Sequence, residues 1–217
     1  MDKNNFLNDL KKRKILSPVI TRATNYVCSL HTKMRRDGAT PEFHHLLDVA
    51  HRISVLPLFS GDTQEFLILV ALLHDTPEDY NISINEIVRV LSGDNVNDSN
   101  FGYYKDIAES AWLLSKVDKN GKRIPTSQYF RLIAEKPELL LVKAADGLSN
   151  LIDSVTAQYP ACTQLSIFVL NYCRYIQSNH LKHLKRLKDS DCLEIRNAAL
   201  LLKTEIEDMI KVLRNTF

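Results

Sequence analysis

Apolar positions recur along this chain at three- and four-residue spacings, and no stretch of any length alternates with the two-residue period of a strand. The pattern predicts helices from end to end. Phe6 to Ile15 is a short segment closing on the basic run Lys11-Lys12-Arg13-Lys14, which reads as a solvated helix end. Ser17-Pro18 then opens a helix, with Ser17 as N-cap and Pro18 in the first turn. Ile20, Ala23, Tyr26, Val27 and Leu30 keep its period, and Gly38, after Arg35-Arg36-Asp37, is expected to stop it. The next helix begins around Pro41-Glu42 and turns Leu46, Val49, Ala50 and Ile53 inward. Pro57 breaks it. Asp62 or Thr63 is then expected to cap a helix whose apolar run, Phe66 to Leu73, ends in His74-Asp75.

Further on, Ser83 and Glu86 have the spacing of a capping box. Leu91 to Phe101 reads as an exposed loop, Tyr104 to Leu114 as a helix, and Lys116 to Pro125 as a polar loop. Ser127 to Ala134 is a helix carrying Tyr129, and Pro137 opens the next, which is mostly apolar. Helices continue from Cys162 to about Arg186 and from Cys192 to Leu213. Between Asn179 and Lys188, leucines at 181, 184 and 187 place the basic residues outward, as on a solvated face. The fold class is all-α.

Composition narrows the class. With 217 residues, 45% hydrophobic and 25% charged, the chain suits one globular domain with a substantial core. A formal net charge of +2 provides no global field toward nucleic acid. Cys28, Cys162, Cys173 and Cys192 lie far apart and form no CxxC pair, so no disulfide framework is expected. The first fourteen residues are too polar for a signal peptide, and no apolar run reaches the length of a membrane span. A reduced, cytoplasmic protein is the expectation.

Two places carry candidate chemistry. His74-Asp75 combines imidazole and carboxylate, donors that suit a divalent transition metal. Glu78 and Asp79 follow one turn later, where they could position or deprotonate a water. His44 and His45 are successive residues about 100° apart on a helix, so at most one of them can join a site. Downstream, Lys143, Asp146, Asn150 and Asp153 share one stripe of the apolar helix. A polar stripe on a buried helix is costly unless its members are satisfied.

The order His…His-Asp…Asp resembles the ligand pattern of HD-domain metal-dependent phosphohydrolases. More narrowly, four stretches are similar to the hydrolase domain of the Rel/SpoT family and its small single-domain relatives. They are His31 with Arg35-Arg36-Asp37-Gly38, His45-Leu46-Leu47-Asp48-Val49-Ala50, Ala71 to Asp79, and Val142 to Leu151. They fall within residues 20 to 155, inside a motif-bearing core of about 18–156, with C-terminal helices over 157–217.

The resemblance implies an HD-domain helical bundle and a Mn²⁺-dependent hydrolase removing the 3′-pyrophosphate of ppGpp or pppGpp. It implies His45, His74, Asp75 and Asp146 as metal ligands, with His45 preferred to His44 because it keeps the family's spacing to Val49-Ala50. It implies Glu78 and Asp79 as the residues that orient and activate water, Arg35 and Arg36 as phosphate or base contacts, and Asn150 as a ribose contact. Tyr129 falls where the family has substrate-side polar residues. The partner implied is a small nucleotide, with neither nucleic acid nor membrane and with the oligomeric state open. The chain departs from the family at Leu46, where Pro is usual, at Gly147, where Arg is usual, and at Asp153; an extra residue also precedes His45. Several of these departures touch the nucleotide pocket. They keep a second reading in view, an HD phosphohydrolase acting on an adenine alarmone, NADPH or a nucleoside triphosphate. A third reading is a non-catalytic metal-binding regulator or antitoxin.

Overall fold

The structure, a computed structural model, describes residues 1–35, 38–56, 61–93, 99–117, 122–156, 163–189 and 192–216. Its regular elements are all helical, in agreement with the periodicity and with the expected helical bundle. Extended pairing among the described residues is limited to two isolated bridges, Met34 with Pro41 and Val117 with Arg123. No helix among them is long and apolar enough to cross a membrane. Backbone contacts divide the chain into two compact units, Met1–Ile133 and Ala134–Phe217.

The first unit holds α1 (Lys3–Lys12), α2 (Pro18–Leu30), α3 (Phe43–Ser54), α4 (Gly61–Leu73), α5 (Thr76–Tyr80), α6 (Ile84–Ser92), α7 (Phe101–Leu114) and α8 (Thr126–Ile133). Its centre is α4, where every residue from Leu67 to Leu73 is fully buried. A helix apolar all round must be enclosed, and α4 packs against α2, α3 and α7. Each large side chain so buried stabilises by about 1.5–3 kcal/mol, so the end of α4 is a firm platform. In the basic run, Arg13 donates to the hydroxyl and carbonyl of Ser54, while Lys11, Lys12 and Lys14 are exposed.

Several boundaries differ from the sequence reading. Ser17 caps α2 as expected, accepting from the Ile20 N–H, but α2 stops at Leu30 rather than near Gly38. The following loop supplies its own backbone pairs: Phe43 N–H to the His31 carbonyl, Glu42 N–H to Lys33, and Arg35 N–H to Thr40. Gly38 does take a left-handed φ of +68°, but it serves the turn of this loop, with its N–H on the Arg35 carbonyl. Asp62 is not a cap. The helix α4 already begins at Gly61, and Asp62 sits in its first turn, where a negative charge suits the helix dipole. Ser83 caps α6, but the Glu86 side chain accepts from the Tyr26 hydroxyl, so the reciprocal half of the box is not closed. Pro57 lies outside the described residues.

The second unit holds α9 (Pro137–Thr156), α10 (Thr163–Ile176), α11 (Lys182–Arg186) and α12 (Leu193–Thr216). A π-helical turn, Gln177–Leu181, joins α10 to α11, and a 3₁₀ turn, Leu187–Asp189, follows. The single helix expected up to Arg186 is therefore interrupted by a π turn. Leu181, Leu184 and Leu187 are buried and Lys182, Lys185 and Arg186 exposed, as the spacing predicts. α9 packs against α12 and the π turn.

Candidate metal centre

The buried run of α4 ends by delivering His74 and Asp75 at the start of a tight turn, in which the Asp79 N–H bonds to the Asp75 carbonyl at 2.9 Å. The His74 ring is buried, and its Nδ1 lies 2.8 Å from the Ala71 carbonyl oxygen. A carbonyl can only accept, so Nδ1 carries the hydrogen and Nε2 keeps the lone pair. That Nε2 stands 3.2 Å from Asp75 Oδ1. From α3, His45 is buried and brings its Nε2 to 3.9 Å from Asp75 Oδ2. The His45 and His74 ring centroids are 5.7 Å apart. The adjacent His44 instead lies against Phe43, at 4.6 Å between centroids. The structure thus brings together His45, His74 and Asp75, and sets His44 aside. His45 and His74 are buried and Asp75 is half-buried, and imidazole with carboxylate is a donor set of the borderline kind that divalent transition metals accept.

Glu78 and Asp79, on α5, are exposed to solvent. Burial of part of its side chain, then the charges of Asp75, Glu42 and Glu78, push the Asp79 carboxyl up to about 6. Glu78 accepts from the Lys116 backbone N–H at 3.2 Å. Beneath them His31 is fully buried, with Nε2 3.2 Å from the Thr76 hydroxyl and its ring edge-on to Tyr80. Burial, against the opposing pull of Asp75, holds its pKa down to about 4, so the imidazole is neutral near pH 7.

In the second unit three members of the α9 stripe, Lys143, Asp146 and Asn150, pair with one another. Asp146 is buried with Lys143 Nζ at 2.6 Å, and Asn150 Nδ2 donates to Asp146 Oδ1 at 2.6 Å. Burial and then the Asp146 charge raise the Tyr172 hydroxyl well above its ordinary value. Asp153 is half-buried. Gly147 has a physical reason: a Cβ there would fall 2.6 Å from His180 Nδ1 and 3.0 Å from Ile176 Cδ1. His180, on the π turn, is buried and edge-on to Tyr175. The sequence reading missed His180 and Tyr172. On a helix His180 lies four residues before Leu184 and seven before Leu187, on the buried leucine face, which is the signal that could have found it.

Of the remaining expected residues, Arg35 is half-buried within the 31–42 loop, and Arg36 lies outside the described residues. Tyr129 is buried, and its hydroxyl donates to the Leu114 carbonyl at 2.8 Å.

No protein-family model matches the chain. Among curated proteins, it is 29% identical over 144 residues to the GTP pyrophosphokinase rsh of Brucella melitensis biotype 1, a match covering 64% of this chain and 17% of that protein. The proteins of the same name from Brucella ovis and Brucella abortus match to the same extent. The chain therefore spans 17% of the length of the curated relatives it matches.

Proposed function

We propose that this protein is a Mn²⁺-dependent hydrolase of guanosine alarmones, converting ppGpp or pppGpp to GDP or GTP and pyrophosphate. The observation that carries the reading is the His45–His74–Asp75 grouping, with His74 Nδ1 tied to the Ala71 carbonyl and Nε2 turned to Asp75. The motif resemblance and the distant likeness to GTP pyrophosphokinase rsh support it.

In this reading His45, His74, Asp75 and Asp146 hold the ion. A divalent ion there supplies positive charge that offsets the phosphates and makes a nearby water easier to deprotonate. Asp79 accepts the water's proton. A carboxyl at about 6 is ionised near neutrality yet still basic enough to take a proton, the compromise that general-base catalysis favours. Glu78 orients the same water. The water oxygen bonds to the phosphorus on the 3′ oxygen as that ester bond breaks, and the 3′ oxygen leaves as a hydroxyl with a proton from solvent, the proton on Asp79 returning to solvent. Arg35 and Arg36 receive phosphate charge, for which guanidinium groups are suited. Asn150 addresses the ribose while holding Asp146. The Lys143 ammonium, at 2.6 Å, holds Asp146 in place.

The test is product analysis after incubating the purified protein with Mn²⁺ and ppGpp. GDP with pyrophosphate is expected; no turnover by metal-loaded protein overturns the reading. One observation favours a different nucleotide. The family's Arg position is Gly147, and its side-chain space is taken by His180. If ppGpp is inert, turnover of an adenine alarmone, NADPH or a nucleoside triphosphate is the expected result.

A further inference from the structure

The loop between α2 and α3 brings His31 and Glu42 to Asp79 of α5, beside, but apart from, the His45–His74–Asp75 grouping. His31, Glu42 and Asp79 each offer one donor atom, and these atoms all lie within 4.8 Å of one another. His31 Nδ1 is 3.9 Å from Glu42 Oε2 and 3.9 Å from Asp79 Oδ2. These spacings exceed a hydrogen bond. They match two donors of one ion, since metal–ligand bonds of about 2.0–2.2 Å set such donors roughly 3–4.4 Å apart.

The three groups are also held as ligands are usually held. His31 is fully buried, and its other nitrogen is engaged by the Thr76 hydroxyl at 3.2 Å, so Nδ1 faces the two carboxylates. The Tyr80 hydroxyl donates to Glu42 Oε2 at 3.2 Å. Outer partners of this kind orient metal ligands in general. The loop stem fixes the spacing, because Phe43 N–H bonds to the His31 carbonyl and Glu42 N–H to that of Lys33. A buried imidazole aimed between two carboxylates is a different object from a solvated acidic patch.

We propose that His31, Glu42 and Asp79 form a second divalent-cation site. An imidazole with two carboxylates suits Mn²⁺, Fe²⁺ or Zn²⁺ rather than Ca²⁺. The proposal deepens the reading above and rests on it for function. Asp79 holds the second ion through Oδ2 and keeps Oδ1 for the water's proton, while the ion offsets the crowding of Glu42, Asp75 and Glu78 around it.

Mn²⁺ binding to the purified full chain, measured by equilibrium dialysis with metal analysis and by electron paramagnetic resonance of unbound Mn²⁺, tests the site without reference to turnover. Two equivalents per chain are expected. Glu42→Gln, at a partly exposed side chain, removes one equivalent and leaves the other. Tyr80→Phe weakens that same equivalent by about tenfold. His74→Ala removes the other one. A single equivalent that Glu42→Gln leaves unchanged overturns the second site, as does a second equivalent that survives both Glu42→Gln and Asp79→Asn. Two equivalents with these responses but no alarmone turnover uphold the second site and sink only the hydrolase reading.

Discussion

Asp79 and Asp146 are both acids crowded by other side chains, yet their surroundings are opposite. The Asp79 side chain is 44% exposed; burial of part of it, then the carboxylates of Asp75, Glu42 and Glu78, push it up to about 6. The Asp146 side chain is 8% exposed and has the Lys143 ammonium at 2.6 Å and the Asn150 amide at 2.6 Å. The first unit stores negative charge that a cation or a proton can relieve. The second unit sets a cation directly against its buried acid. A turn that gathers like charges loses stability by doing so, so the arrangement makes sense where a ligand completes it. A buried ion pair with a shared amide is a scaffold, able to present an oxygen without needing the ligand.

The largest effect should come from the first unit. His74→Ala is expected to lose the tightly held metal and, with several kcal/mol of charge stabilisation gone, to lower turnover by about 10³-fold or more. Metal content after dialysis and single-turnover rates measure both. Retained metal and rate would break the contrast at its base.

Next is Asp79→Asn, expected to reduce kcat by about 10²–10⁴-fold with little change in KM. The pH profile sharpens this. In the proposed role Asp79 works ionised, so wild-type kcat/KM should climb as pH rises through its pKa and level above it, near 6 where the His31–Glu42–Asp79 site is unfilled and lower where a cation fills it. The Asn variant should lack that acid limb.

In the second unit the effect should appear in stability as well as in rate. Lys143→Met leaves the Asp146 charge buried without its cation, at a loss of about 3 kcal/mol or more. Denaturant unfolding without metal measures it. A negligible loss would mean that Asp146 is not balanced by its own helix, and the comparison would fail.

The smallest effect is expected at Gly147. Gly147→Ala gains up to about 1 kcal/mol of helix propensity but drives a methyl against the buried His180 ring, an overpacking of about 1–3 kcal/mol. A net loss near 1 kcal/mol should lower Tm by a few degrees. Adding His180→Ala should make the same substitution neutral or favourable.

Much of this was legible in the chain. Side-chain period dictates helices, and local chemistry dictates caps, so the all-helical class and the Ser17 and Ser83 caps follow from spacing and residue type alone. The contiguous apolar run to Leu73 required a buried α4, and that required His74-Asp75 at its end. The adjacency of His44 and His45 meant that one would turn away; which one was settled by packing α3 on α4. Gly38 signalled a left-handed residue correctly, but whether it ends a helix or turns a loop depends on pairings across the loop, between residues such as Arg35 and Thr40. Tertiary structure alone decided that Glu42 and His31 stand beside Asp79, that Tyr129 belongs to the core, and that a π turn inserts His180 where a side chain at 147 would go. Periodicity reports which face of an element is apolar, whereas these placements depend on distances between elements far apart in the chain, which no local pattern encodes.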